Sequence, residues 1–254
     1  MAASRFVTST GTRIHYLDSG GDDRGAPIVF VPGMTDLATD YSGVLGQFGR
    51  RAVVVELRGH GRSGVPSHGY GFEDLCDDVG SVVDDLTGGS VHLVTFSRGT
   101  TYAVGWALRN PDRVLSLAIG DYVPAEIVPP AGAIDHLLDG SWRGSPVRGR
   151  LDEEAARRTF AAARSRSLWD ELASLQPALL VVRSRERLLV DDEAWDRYAR
   201  LFPRSRRIEF SDSPHDIFRA DRSRYPRLVR AHIDAVDRSS APRKVEDRGR
   251  PDSD

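Results

Sequence analysis

Two rhythms of apolar residues alternate along the chain. Short, largely apolar runs occupy Pro27–Val31, Ala52–Leu57, Val91–Phe96, Val114–Ile119 and Ala178–Val182, the pattern of strands covered on both faces. A further short run, Arg206–Phe210, reads as a last strand. Between the runs, apolar residues recur at helical spacing. Phe72–Leu86 carries Leu75, Val79, Val82, Val83 and Leu86 on one stripe. The stretch after Val91–Phe96, ending near Arg109, carries Ala103, Trp106 and Ala107. Asp192–Leu201 and Arg222–Val236 complete the series. At the N-terminus, Arg5–Ser9 and Arg13–Asp18 alternate polar and apolar residues around Thr10-Gly11-Thr12, a hairpin with a glycine turn. The alternation predicts an α/β fold: a mostly parallel eight-stranded sheet with helices on both faces and an antiparallel edge from the hairpin.

Two stretches break the rhythm. Residues 124–176 show no strand run. They hold Pro129-Pro130, helical patterns at Ala131–Leu138, Leu151–Ser165 and Leu168–Leu175, and a Gly/Ser/Arg loop. Asp152, Glu153 and Glu154 open the second helix, as the helix dipole favours. The stretch reads as a small helical lid inserted after the sixth strand, over the C-terminal ends of the strands. Its arginines read as a solvated face, or as a place where one of them meets an anionic substrate group. Residues 238–254 are polar and aperiodic and read as a disordered tail. Residues 1–123 and 177–237 then form the core.

Composition narrows the function. With 254 residues, 40% of them hydrophobic, the chain can bury a full core. A net charge of −2 gives no electrostatic case for nucleic acid. A single cysteine, Cys76, excludes an internal disulfide framework and suits a reducing, cytoplasmic setting. No apolar run has membrane-spanning length, and Met-Ala-Ala-Ser-Arg-Phe lacks a signal-peptide core. No His/Cys set has zinc spacing and no G-x-G-x-x-G opens a helix after the first strands, so neither metal nor dinucleotide cofactor is expected. Arg58-Gly-His-Gly-Arg-Ser-Gly64 is glycine-rich but lacks the G-K-[ST] ending of a phosphate cradle, and it reads as a packing loop.

Ser97 lies where the strand Val91–Phe96 reverses into a helix, in Thr95-Phe96-Ser97-Arg98-Gly99. This is a nucleophile elbow, G-x-S-x-G, with threonine at the first glycine. The alternative is that Ser97 only caps the helix. A serine hydroxyl needs a base within reach, and the base needs an orienting acid. Of seven histidines, His215 follows the last strand, in Ser213-Pro-His-Asp216. In a parallel sheet that loop shares an edge with the elbow, so His215 is the histidine that topology sends to Ser97.

These motifs, with Gly11-Thr-Arg-Ile-His-Tyr16, Phe30-Val-Pro-Gly-Met34 and Leu57-Arg-Gly-His-Gly-Arg-Ser63, resemble the α/β-hydrolase superfamily over nearly all of residues 5–237. The resemblance implies an oxyanion hole of two backbone N–H groups, from Arg98 after the nucleophile and Met34 after the third strand. Many relatives carry His-Gly in that loop, where this chain has Pro32-Gly33. Families place the acid after the sixth strand or the seventh. Asp121 ends the sixth strand, resembling haloalkane dehalogenases and zearalenone lactonase. Glu186 follows the seventh, one residue early for the usual pattern. Both remain candidates.

The expected activity is serine hydrolysis of an ester, lactone or thioester of a small organic molecule through Ser97, His215 and Asp121. The alternatives are carbon–carbon bond hydrolysis or a lyase or dehydratase step on the same fold, or a ligand-binding protein with an impaired triad. A serine nucleophile argues against dehalogenases and epoxide hydrolases, which use aspartate there.

Overall fold

The computed structural model describes residues 2–21, 25–186, 189–219 and 221–240. Eight strands form its main sheet: β1 Ala3–Ser9, β2 Thr12–Asp18, β3 Ile28–Val31, β4 Ala52–Glu56, β5 Val91–Phe96, β6 Val114–Gly120, β7 Leu179–Ser184 and β8 Arg206–Phe210. Their spatial order is β1-β2-β4-β3-β5-β6-β7-β8. Only β2 runs against its neighbours, pairing antiparallel with β1 and β4. The pairs from β4 through β8 are parallel. The helices are α1 Phe72–Leu86, α2 Gly99–Arg109, α3 Ala133–Leu138, α4 Glu153–Ala162, α5 Trp169–Leu175, α6 Asp192–Leu201 and α7 Arg224–Ser240.

Side chains alternate across a strand, so each central strand feeds two cores. Val29, Val53, Leu93, Leu117 and Val181 enter one, with residues of α1, α2, α5 and α6. Phe30, Val54, Val94, Ala118 and Leu180 enter the other, with α7 and two single-turn 3-10 helices at Ala38–Tyr41 and Leu45–Phe48. Aromatic rings fill the gap those short helices leave. Tyr41 meets Phe30 edge-on at 4.6 Å between centroids and Phe218 at 5.1 Å, and Phe218 meets Tyr225 at 5.4 Å. The Tyr225 hydroxyl donates to the Thr95 and Ala118 carbonyls at 3.0 and 3.1 Å, pinning α7 under the ends of β5 and β6.

The insert departs from a purely helical reading. Ala125–Glu126 pairs antiparallel with Arg166–Ser167, so the chain leaving the sheet binds the chain coming back. Ser141–Trp142 pairs with Ser145–Pro146. Between them Arg143 and Gly144 have φ of 48° and 80°, the left-handed pair that a two-residue hairpin demands. The Asp152 side chain caps α4 by accepting the Ala155 N–H at 2.8 Å. α5, counted above with the insert, packs in the sheet core, with Trp169 edge-on to Tyr198 at 4.5 Å. α7 starts two residues later than the periodicity suggests and runs to Ser240, so the first residues of the expected tail are helical. The rest of that tail, 241–254, lies outside the described residues.

The glycine-rich loop after β4 is structural. Arg58 is buried and its guanidinium clamps Asp78 of α1 at 2.6 Å. Gly61 N–H donates to the Arg150 carbonyl and Asp152 N–H to the Gly59 carbonyl, so the loop also anchors the insert. Beside it, Glu56 accepts from the His15 ring at 2.7 Å, the Ala38 N–H at 2.8 Å and the Arg62 N–H at 2.7 Å. Burial pushes its carboxyl up, but those bonds outweigh burial and hold it below its ordinary 4.5. A carboxyl depressed in the folded state contributes stability above its unfolded value and loses it as pH falls through the folded one. Glu56→Gln therefore lowers unfolding free energy at pH 7 by about 2 kcal/mol. Urea titrations from pH 7 to pH 3 should show the gap to wild type closing below pH 4.5.

Candidate active site

β5 meets α2 in one sharp turn at Ser97. Its φ of +52° is in the left-handed region, which a non-glycine residue occupies only when its surroundings force it. Ser97 N–H donates to the Gly120 carbonyl at 2.9 Å, so the turn stays tied to β6. At Gly99 a Cβ would overlap the carbonyl oxygens of Pro32 and Val31. Both obstacles are backbone, so only glycine lets α2 start this close to β3. Thr95, at the first glycine of the elbow pattern, is fully buried. Its hydroxyl pairs with the Thr100 hydroxyl at 2.8 Å. That bond offsets the cost of burying a hydroxyl, which is how threonine is accommodated.

His215 sits in the loop between β8 and α7. Its Nε2 is 2.8 Å from Ser97 Oγ, and its Nδ1 is 2.7 Å from Asp121 Oδ2. A carboxylate only accepts, so Nδ1 holds the proton and Nε2 offers its lone pair to the serine hydroxyl. Asp121 ends β6, fully buried, with φ +48°. Its second oxygen accepts the Ser184 N–H at 2.8 Å. The Ser184 hydroxyl donates to the Ser213 carbonyl. One residue of β7 therefore steadies both the carboxylate and the histidine loop. The imidazole stacks on Phe96 at 4.9 Å between centroids. Glu186 is exposed and makes no hydrogen bond among the described residues. Asp216 turns away from the serine to accept from Arg143 at 2.7 Å.

The loop after β3 lies against the serine. A Cβ on Gly33 would stand 3.1 Å from Ser97 Cβ and 2.8 Å from Asp36 Oδ2. Gly33 N–H donates to that Asp36 oxygen at 2.9 Å, while the N–H groups of Met34 and Arg98 donate no hydrogen bond among the described residues. The Met34 side chain is half-buried and packs under the insert against the cluster of Leu138, Val147 and Leu151. Ser97 and His215 open on a cleft of about 310 Å³, whose walls include Phe96, Met34, Trp142 and His136. No group of three or more His, Cys, Asp or Glu side chains converges as metal ligands among the described residues.

A family model described as alpha/beta hydrolase fold matches residues 26–146. The crystal structure of E-2-(acetamidomethylene)succinate hydrolase superposes with a TM-score of 0.76 over 92% of this chain and 100% of that one, at 21% identity. The chain has the alpha/beta hydrolase fold. Among curated relatives, a non-heme chloroperoxidase of Streptomyces lividans is 34% identical over 126 residues, 48% of this chain and 45% of that protein. A haloalkane dehalogenase of Agrobacterium fabrum is 32% identical over 114 residues, 44% of this chain and 36% of that protein. The matched stretches thus span less than half the length of these relatives. No helix of the described residues is long and apolar enough to cross a membrane.

Within this α/β-hydrolase fold, the structure adds residues that sequence reasoning passed over. Asp36 is buried and burial raises its carboxyl pKa. It ties Gly33 to the insert by also accepting the Trp142 indole N–H at 2.8 Å. Arg143, at the hairpin turn, reaches Asp216 at 2.7 Å and Asp36 at 3.5 Å. The only sequence signal for this network is an aspartate three residues after Gly33, close enough for its side chain to reach back to the Gly33 N–H. The elbow generates a direct test. Gly99→Ala forces β3 and α2 apart and should cost about 3 kcal/mol. Urea denaturation midpoints compared with wild type will measure it, and Gly149→Ala, whose Cβ meets open space, serves as the control.

Proposed function

We propose that this protein is a serine hydrolase that cleaves an ester, lactone or thioester of a small organic molecule. The observation that carries the reading is the row of hydrogen bonds from Ser97 through His215 to Asp121, at 2.8 and 2.7 Å, opening on a cleft. In this reading His215 Nε2 takes the hydroxyl proton as Ser97 Oγ attacks the substrate carbonyl. Asp121 stabilises the imidazolium that results, and its bond from Ser184 keeps it from turning away. The Met34 and Arg98 N–H groups, which have no other acceptor among the described residues, receive the oxyanion. His215 then protonates the leaving group, and a water that it deprotonates frees the acyl product from Ser97. Residues 124–167 act as a lid whose inner wall selects the substrate.

The dehalogenase activity named for one relative does not extend to this chain in this reading. Halide displacement at carbon calls for a carboxylate nucleophile, and a serine stands at this elbow. Ser97→Ala should lower kcat for p-nitrophenyl acetate by roughly 10⁴-fold or more with the thermal melt unchanged. A fluorophosphonate probe should label wild type at Ser97 and leave the variant unlabelled. Turnover retained in the alanine variant would remove Ser97 from the mechanism. An unlabelled wild type would favour a ligand-binding protein.

A further inference from the structure

Four arginines among the described residues are buried: Arg58, Arg98, Arg150 and Arg183. Three of them meet a carboxylate. Arg58 holds Asp78 at 2.6 Å, Arg183 holds Glu209 at 2.6 Å, and Arg150 pairs with Asp40. Arg98 is the exception. Its Nε donates to the Tyr102 hydroxyl at 3.0 Å and its Nη1 to the Ile127 carbonyl at 3.2 Å, both neutral. Its Nη2 makes no hydrogen bond of good geometry, although the residue is only 8% exposed and the Tyr122 hydroxyl lies beside the guanidinium. Glu126, whose charge it feels, makes no ion pair with it and lies 3.8 Å from Arg166. A buried cation without an anion is costly, and proteins leave few such groups unmatched.

Arg98 also lines a cavity of about 20 Å³, together with Tyr102, His60, Thr159, Met34 and Gly33. Gly33, Met34 and Asp36 line both this cavity and the Ser97 cleft. A water needs roughly 10–15 Å³ on this measure, so the space admits no more than a small polar group. His60 is buried, its Nδ1 donates to the Arg58 carbonyl at 3.0 Å, and its Nε2 is without a partner. With Nδ1 donating and burial keeping the ring neutral, Nε2 can only accept, from a water or a hydroxyl group. Two acids border the same space, Glu56 and Asp36, but their oxygens already accept from His15, Arg62, Ala38, Gly33 and Trp142. The unfilled bonding capacity of the cavity therefore belongs to Arg98 and His60.

We propose that this cavity is an acyl subsite in which Arg98 selects acyl groups ending in a carboxylate. The proposal rests on the serine hydrolase reading above. The Arg98 backbone N–H would hold the carbonyl oxygen at Ser97, and the guanidinium of the same residue would meet the far end of the acyl group. Bound water would satisfy the hydrogen bonds but leave the charge unmatched, which sets the two occupants apart experimentally.

The test compares mono-p-nitrophenyl glutarate with p-nitrophenyl valerate, which has a methyl group in place of the carboxylate. Wild type should favour the glutarate ester in kcat/KM by roughly 10-fold or more, mainly through KM. Arg98→Met should reverse that ratio, and Arg98→Lys should restore part of it. Thr159→Asp keeps Arg98 but supplies a carboxylate from α4, so it should abolish the preference and raise the melting temperature. Equal kcat/KM for the two esters in wild type, or a ratio unmoved in Arg98→Met and Thr159→Asp, would mean a water-filled cavity and overturn the proposal. If wild type hydrolyses neither ester, the hydrolase reading falls, and calorimetric titration with glutarate decides the subsite alone. Binding by wild type that is lost in Thr159→Asp supports it, and no binding by wild type overturns it.

Discussion

The arrangement depends on one close approach, the first turn of α2 against the last residues of β3. Gly99 permits it because nothing projects from its Cα toward the carbonyls of Val31 and Pro32. The same contact forces Ser97 into the left-handed region, which lifts its hydroxyl off the sheet. It also brings Gly33 within van der Waals reach of the serine. Elbow and neighbouring loop are therefore one packing unit, and neither can move without the other. Backbone strain of this kind persists only where the surroundings over-determine it. Here the surroundings are the Ser97–Gly120 hydrogen bond and the Thr95–Thr100 hydroxyl pair.

The insert is joined to that unit by polar bonds to three different loops. Trp142 reaches Asp36 after β3, Arg143 reaches Asp216 after β8, and the backbone around Arg150 and Asp152 binds the loop after β4. Arg143 is half enclosed by rings as well, with its guanidinium 4.8 Å from the Tyr41 centroid. Apolar packing in the insert is slight by comparison, a cluster of Leu138, Val147, Leu151 and Ala156. Its position over the cleft is set mainly by charge-assisted hydrogen bonds, which are directional in a way that apolar contacts are not.

The eight strands were legible in the sequence because each central strand is apolar on both faces, and the period-two alternation leaves few other readings. The meeting of Ser97 with His215 was legible because topology sends loops after parallel strands to one edge. The carboxylate was harder. Asp121 and Glu186 both follow strands that end at that edge, and what separates them is the Ser184 amide that holds one of them, a contact across 63 residues of chain. The two short ladders in the insert were not legible. Two-residue strands carry no periodicity, and the pairing of Ala125–Glu126 with Arg166–Ser167 depends on where the chain returns. Arg98 was read only through its backbone, since its sequence neighbours give no sign that its side chain lacks an anion.

Asp121 stands at the end of β6, and the two-residue ladder that opens the insert begins at Ala125. The same few residues thus hold the buried carboxylate and serve as the stalk of the structure above the cleft. An engineer transplanting a different cover onto this scaffold would have to make the splice beyond Val123, because any cut nearer the sheet would disturb the residue that orients His215. The return splice has more freedom: nothing between Arg166 and Leu168 hydrogen-bonds to Ser97, His215 or Asp121 among the described residues. One border of such a graft is fixed by electrostatics, and the other only by where the chain rejoins the core at Leu168.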